Sequence, residues 1–284
     1  MQTTAKPKIS VVVCTRNEES RIEDCLKGIK LNMPDEIIVV DGGSTDRTRE
    51  IASKYTDVVI ESKNSSLTRD RQIGIDKASN QLIAMIDSDH RLLEGDIQSL
   101  VNDLYDFDLD IVQSGLLSYK NHGFWDKAEE QTWFLVHNVP LGKRSMLGTA
   151  PAIYKKEVFA HVRFSDHITK SIDDTDFIYR LLKTTSYKVG IGRTRIRQFH
   201  FANFNTYMSK FLWYGKGDGE FCFKNPERTS RMLFHLLIRY PVLYPLRSIK
   251  KGYFNAAPFF FVQGLTRFFA LSRFLIKQWF KKKQ

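Results

Sequence analysis

The chain has 284 residues, 42% of them hydrophobic, which suits a protein with a sizeable core and excludes extended disorder. Its three cysteines, Cys14, Cys25 and Cys222, form no close pair, which argues against a disulfide scaffold or a zinc site and for a reducing compartment. The net charge of +11 is concentrated: twelve Lys or Arg and no acid follow from Arg228 onward, while the first 227 residues hold 31 basic and 32 acidic side chains.

The N-terminus, MQTTAKPKIS, leads into a strand without an apolar leader, so a cytosolic location is expected. KISVVVC reads as that strand, and EESRIEDCLKGI as a helix with Ile22, Leu26 and Ile29 at helical spacing. DEIIVVD is a second buried strand, and STDRTREIASKY a helix with Ser44 and Thr45 as candidate N-caps. DVVIES, SSLTRDRQIGIDKAS and QLIAMID continue the series as strand, helix and strand. Such alternation predicts an α/β fold with a mostly parallel central sheet flanked by helices. Ligands of these sheets bind beyond the carboxyl ends of the strands. Three of those ends are polar here: CTRNE, DGGSTD and DSDH.

Each strand end has a chemical reading beside a plain one. Gly42 and Gly43 allow a tight turn with close backbone approach, and Asp41 can accept hydrogen bonds from a base or ribose; the alternative is an ordinary capped turn. Glu18 either binds a ribose or sits in the first turn of a helix. Neither GxGxxG nor GxxxxGK[ST] occurs, so dinucleotide and P-loop readings lack support. The acid-x-acid spacing of Asp87 and Asp89 recurs at Asp106/Asp108, Asp108/Asp110 and Asp174/Asp176, so spacing alone decides nothing. Position does: Asp87 and Asp89 follow an apolar strand, where carboxylates need water or a cation to compensate them. Mg²⁺ or Mn²⁺ takes one or two carboxylates together with substrate phosphate oxygens.

Further along, GFWDKAEEQTWFLVHN reads as a helix whose Trp125 and Trp133 either stack on sugar rings or fill the core. RSMLGTAPAIYKKEVF is expected to border an acceptor, with Gly148 permitting close approach. SIDDTDFIYRL reads as a helix with Asp173 and Asp174 in its first turn, where the helix dipole favours acids. WYGKGDGEF, with Lys216 among three glycines, reads as a mobile loop able to close over a ligand, or as a solvent-facing turn. The last stretch, APFFFVQGLTRFFALSRFLIKQWFKKKQ, has apolar runs too short to span a bilayer, and Arg267 and Arg273 interrupt the best of them. Aromatic and basic residues so mixed suit a helix lying in the interface of an anionic membrane, or a helix pair packed on the domain with a solvated basic face. No nucleic-acid-binding motif accompanies the charge.

Taken together, these motifs resemble the family 2 glycosyltransferases of GT-A fold over roughly residues 8 to 200. ISVVVCTRNEE is similar to the family's opening strand and nucleotide loop, with Cys14 where proline is usual. DEIIVVDGGSTDRT matches the second strand and its loop, and RDRQIGIDKA resembles the motif helix, with Arg71 on the motif arginine and Gln72 where asparagine is usual. AMIDSDH matches the metal-binding strand end, and DDTDFIYRL the acidic segment, with Asp173 where glutamate is usual. The resemblance implies nucleotide binding by Thr15, Glu18, Asp41 and Arg71, with Asp87 at the ribose. It implies Mg²⁺ or Mn²⁺ on Asp89, with His200 of RQFHF near the diphosphate or on the metal, and Asp174 as the catalytic base of an inverting transfer. It further implies a UDP- or GDP-linked sugar donor, and the tail adds a membrane-held acceptor: a polyprenyl-linked sugar, glycolipid or polysaccharide. The expected organisation is a catalytic domain over 1–227 (1–104 nucleotide-sugar half, 105–227 acceptor half), and a basic aromatic helical region over 228–284, on the cytosolic face of a membrane. Two rivals remain: a catalytically inactive transferase-like module that docks on membranes, and a sugar nucleotidyltransferase. The latter is expected to carry a Gly-rich basic loop after its first strand, which CTRNEES lacks.

Overall fold

A computed structural model of the chain describes residues 7–63, 65–119, 123–164, 171–199 and 203–281. Its strands are β1 (Ile9–Thr15), β2 (Glu36–Asp41), β3 (Val59–Glu61), β4 (Leu82–Asp87), β5 (His90–Arg91), β6 (Ile111–Ser118), β7 (Gly142–Arg144), β8 (Ala152–Lys155) and β9 (Val189–Gln198). The helices are α1 (Ile22–Leu31), α2 (Thr48–Ala52), α3 (Leu67–Lys77), α4 (Asp96–Asp106), α5 (Phe124–Thr132), α6 (Val158–His161), α7 (Asp173–Thr184), α8 (Phe204–Lys224), α9 (Thr229–Phe234), α10 (Tyr244–Lys250) and α11 (Ala256–Lys281). Two compact units result. The first holds Met1–Gly115, Pro140–Asp166 and Phe177–Gln198; the second holds Leu116–Val139, His167–Asp176 and Phe199–Gln284. The unit boundaries do not fall at 227/228, where the charge changes.

The first unit is built on the sheet, ordered β3-β2-β1-β4-β8-β6-β9-β5 with β7 on β9. β1 pairs in parallel with β2 and β4, and β2 with β3, as the alternation predicts. β8 joins β4 and β6 antiparallel, and β9 joins β5 and β7 antiparallel, so the whole sheet is mixed. Alternation along β1 sends Val11 and Val13 into the core shared with α1 and α4, and Val12 and Cys14 into the core shared with α3 and α7. Both faces are covered, which is why Val11 to Cys14 form an unbroken apolar run; a fully buried valine contributes about 1.5–3 kcal/mol by leaving water.

The first helices are shorter than their periodicity suggests. Residues 17–19 are tied to the next loop: Asn17 N–H donates to Ser44 Oγ (2.8 Å) and Glu18 N–H to Thr48 Oγ1 (2.8 Å). Asn17 adopts a positive φ of 54°, and α1 therefore starts only at Ile22. Ser44 and Thr45 do not cap α2, which begins at Thr48, because the Ser44 hydroxyl is already shared between Asn17 and Asp41.

In the second unit, the expected loop WYGKGDGEF is instead the middle of α8. Its glycines are there for close packing. A Cβ at Gly215 would collide with the backbone oxygen of Arg267 on α11, one at Gly217 with Ser171, and one at Gly219 with the Phe274 ring. Asp218, fully buried, accepts from both Arg267 Nε (2.8 Å) and Nη2 (2.7 Å), joining α8 to α11 at the point of closest approach. Trp125 fills an aromatic core with Tyr207 and Phe259 (ring centroids 5.1 and 6.3 Å). Between α9 and α10 the chain continues as a wide π-type helix, His235–Leu243, containing Pro241. By length and composition α11 is long and apolar enough to cross a membrane, although its sequence is interrupted by charges. One face of it is buried within its own unit, through Phe259, Phe260, Gly264, Ala270 and Leu271.

Candidate active site

The register of the parallel strands builds the site. Thr15 lies beside Asp41, and Cys14 beside Asp87, so the carboxyl ends of β1, β2 and β4 are immediate neighbours. At the first of them the Thr15 hydroxyl is buried and has no hydrogen-bond partner among the described residues. An unsatisfied buried hydroxyl costs about 1–3 kcal/mol, so it marks a place where a ligand group would be welcome.

Asp41 is fully buried, yet its carboxylate is occupied by its own turn. Oδ1 accepts from Gly43 N–H (3.1 Å) and Ser44 N–H (2.8 Å), and Oδ2 accepts from the Ser44 hydroxyl. Gly43 has a φ of +86°, a conformation in which a side chain is strained. Arg49 Nε lies 3.8 Å from Oδ1. Asp41 thus shapes the loop first and has little acceptor capacity left over. Glu18 is likewise engaged, paired with Arg21 through both oxygens at 2.6 Å.

Asp70, which the sequence reading passed over, stands beside this loop, 5% exposed and bonded to the Ser65 hydroxyl. Burial, with the Asp41 charge adding to it, raises its carboxyl above the ordinary aspartate value. Next to it on α3, Arg71 is 5% exposed and points the other way along the strand ends. Its Nη1 donates to Thr149 Oγ1 (3.2 Å) and its Nη2 to Asp87 Oδ1 (3.4 Å). Gly148, in the same loop as Thr149, is indeed approached closely, but by the protein itself: its N–H donates to Gln113 Oε1 at 2.8 Å.

The DSDH turn gathers Asp87, Asp89 and His90 so that one ligand atom from each lies within 4.8 Å of the others. Two carboxylates this close fit a hard divalent cation. Arg91 Nη1 closes the turn from below by donating to Ser88 O (3.0 Å) and His90 O (2.8 Å). Cys25 Sγ donates to Asp87 O (3.4 Å), and burial pushes this thiol far up, so it remains protonated. Gln198, at the end of β9, donates its Nε2 to Asp89 Oδ2 (2.9 Å). Gln198 and His90 are the supporting residues that sequence reasoning missed. DSDH did display His90, but nothing in the sequence announces that β9 returns to β5.

The remaining candidates lie elsewhere. Asp173 and Asp174 belong to the second unit, in the first turn of α7. Asp174 is half-buried, with Oδ1 accepting Thr175 N–H at 2.6 Å, and Asp173 is 9% exposed. Just before them Ser171 is pinned by its hydroxyl to Trp213 O (3.1 Å), and Ile172 holds a φ of +59°. A β-branched residue in this region is strained, at a cost of about 1–3 kcal/mol. Lys216 is exposed on α8 and does not sit on a loop, so a closing role for it loses its basis. His200 lies outside the described residues. A cavity of about 690 Å³ lined by Ser79, Gln81, Lys155 and Phe159 opens at the Leu82 end of β4, away from Asp87.

Comparison with known proteins gives the same direction. The family model described as Glycosyl transferase family 2 matches residues 10–163, more than half of the chain. The glycosyltransferase AglE of Haloferax volcanii is 24% identical over 183 residues, covering 60% of this chain and 60% of AglE. Dodecaprenyl-phosphate galacturonate synthase of Rhizobium johnstonii is 28% identical over 198 residues, covering 61% of this chain and 58% of that protein. The chain therefore spans less than two thirds of either relative. Among solved structures, glucosyl-3-phosphoglycerate synthase from Mycobacterium tuberculosis, in complex with Mg²⁺ and UDP, superposes with a TM-score of 0.53 at 16% identity. That alignment covers 77% of this chain and 79% of that one, and it establishes the likeness of fold.

Proposed function

This chain belongs to glycosyl transferase family 2, and on that footing we propose that it moves a sugar, with inversion, from a UDP- or GDP-linked donor to a lipid-linked acceptor. The observation that carries the reading is the meeting of three strand ends, where Thr15, Asp41, Asp87 and Asp89 gather beside Arg71. Thr15 offers its unpartnered hydroxyl to the nucleotide, Asp41 and Glu18 set the loop that receives it, and Arg71 supplies positive charge there. Asp87 reaches the ribose, and Asp89 holds Mg²⁺ or Mn²⁺. When bound, such a cation supplies charge neutralisation at the leaving diphosphate. Asp174, in the first turn of α7, takes the proton of an acceptor hydroxyl.

A phosphate acceptor would arrive already ionised and ask less of that base. Asp174→Asn is then mild with a polyprenyl phosphate and severe with a hydroxyl acceptor. The name of the Rhizobium relative favours the first class. The second unit supports a membrane-bound acceptor. Phe261, Phe269, Ile276 and Trp279 are exposed on α11, among the exposed Arg273, Lys277 and Lys281. These residues suit the interface of an anionic bilayer, with the protein peripheral on its cytosolic face. Replacing Phe261, Phe269 and Trp279 by Ser should abolish co-sedimentation with phosphatidylserine vesicles; unchanged sedimentation rejects this surface.

The deciding experiment is a thermal-shift panel of UDP, GDP, CDP and ADP with and without Mn²⁺, on wild type and Asp89→Ala. A ligand at 100 times its Kd stabilises by about 2.7 kcal/mol. A metal-dependent shift with one nucleotide, lost in the variant, is expected. No shift with any nucleotide rejects the transferase reading and leaves the inactive module in its place.

A further inference from the structure

Resting on the metal-nucleotide reading above, we propose that His90 is a positioning residue for Asp89 and not a third ligand of the cation. Three groups in the DSDH turn have the spacing of a metal site, and His90 is the one whose hydrogen bonding speaks against ligation. Its ring is 1% exposed. Nδ1 accepts the backbone N–H of Asp87 at 2.9 Å, so Nδ1 carries no proton and the neutral ring holds its proton on Nε2. A histidine that binds metal through one nitrogen almost always donates an N–H from the other. Here the other nitrogen is an acceptor, and ligation through Nε2 would require the ring to lose its only proton.

The Nε2–H has a different destination. It has no hydrogen-bond partner among the described residues, and it faces Asp89 Oδ1 at 3.9 Å. The second oxygen of the same carboxylate accepts from Gln198 at 2.9 Å. These two donors are neighbours because β5 pairs with β9 in a register that sets His90 opposite Gln198. Asp89 is therefore flanked by an amide that already donates to it and an imidazole N–H that stands 3.9 Å away. A small closure of the turn brings Nε2–H to Oδ1 and leaves the outward lone pairs of Asp89 for the cation.

Two substitutions separate the ring's two nitrogens. His90→Asn keeps an acceptor where Nδ1 stands and removes the Nε2 donor; His90→Gln keeps a donor where Nε2 stands. The measurements are Mn²⁺ affinity, by electron paramagnetic resonance of free Mn²⁺ alone and with UDP or GDP, and nitrogen coupling to bound Mn²⁺ by pulsed resonance. His90→Asn should weaken Mn²⁺ by about 10–100-fold, the usual cost of losing an outer-shell partner, with its metal-free melting midpoint close to wild type. His90→Gln should recover most of that loss, and no directly bound nitrogen should vanish between wild type and His90→Asn. A coordinated-nitrogen signal lost in His90→Asn would make His90 a ligand and overturn the proposal, as would wild-type Mn²⁺ affinity in His90→Asn. Wild-type protein that binds Mn²⁺ under none of these conditions would reject the metal-nucleotide reading itself, and this inference with it.

Discussion

Two stretches of the chain set glycines beside a fully buried aspartate: DGGSTD at the end of β2, and YGKGDGE inside α8. At Asp41 the compensating donors come from Gly43 and Ser44, two and three residues on, and the glycines bend the backbone to deliver them. At Asp218 the compensation is Arg267, 49 residues away, and the glycines keep the helix thin enough for that arginine's helix to approach. The same residue types thus serve a turn in one unit and a helix contact in the other. What separates them is whether the partner is local. A buried charge with local donors is a self-contained device, whereas one with a distant partner stakes two helices on a single contact.

The sharpest way to break this contrast is to remove each acid. Asp218→Ala leaves the buried Arg267 guanidinium without its carboxylate and should cost about 3–5 kcal/mol in chemical denaturation. Adding Arg267→Leu should restore most of the loss, because the penalty lies in the orphaned charge. Asp41→Ala removes hydrogen bonds from neutral donors, the Gly43 and Ser44 N–H groups and the Ser44 hydroxyl, and leaves no orphaned charge, so about 1–3 kcal/mol is expected. Equal losses at the two positions would remove the distinction.

A smaller effect separates the glycines themselves. Gly215→Ala places a methyl against the backbone oxygen of Arg267, which cannot rotate away, and overpacking of this kind costs about 1–3 kcal/mol. Its melting midpoint should fall even though alanine is the better helix former. Gly43→Ala meets no such crowding, its nearest neighbour being Lys63 at 3.7 Å, and bears only the left-handed strain of about 1–2 kcal/mol. Further substitution by larger residues should therefore deepen the loss at 215 and leave it nearly flat at 43.

Locality also decides what could be read from the sequence. The four parallel strands and Arg71's helix were legible because period-2 and period-3.6 patterns are properties of neighbours in the chain. The strand ends were legible as a site for the same reason: the βα alternation fixes which ends lie together. YGKGDGE misled because glycine signals a loop unless something far away needs the space, and Arg267, Ala270 and Phe274 are far away. Ser44 misled as a helix cap because Asn17, 27 residues earlier, claims its oxygen. Gln198 and His90 went unread because only the antiparallel return of β9 joins them.

The last contrast is in pH, where the two units should give opposite signs. In the first, burial and then the Asp41 charge hold the Asp70 carboxyl above the ordinary 3.8. Between those two values the folded chain carries the extra proton, so stability falls as pH rises through the window, and the deficit persists above it. Asp70→Asn, which cannot ionise, should gain on wild type as pH rises from about 4 toward 7. In the second unit, burial, with Arg267 and Arg239 behind it, pulls His235 down from 6.5 to about 3. There the unfolded chain takes up the proton first, so stability falls as pH drops from 6.5 toward 3. His235→Phe should gain on wild type in that direction, keeping the edge-on packing against Tyr240 at 4.7 Å. Melting midpoints of both variants, taken relative to wild type at pH 4.5 and 7.5, should therefore cross. Parallel curves would mean that neither buried group sets its unit's response to acid.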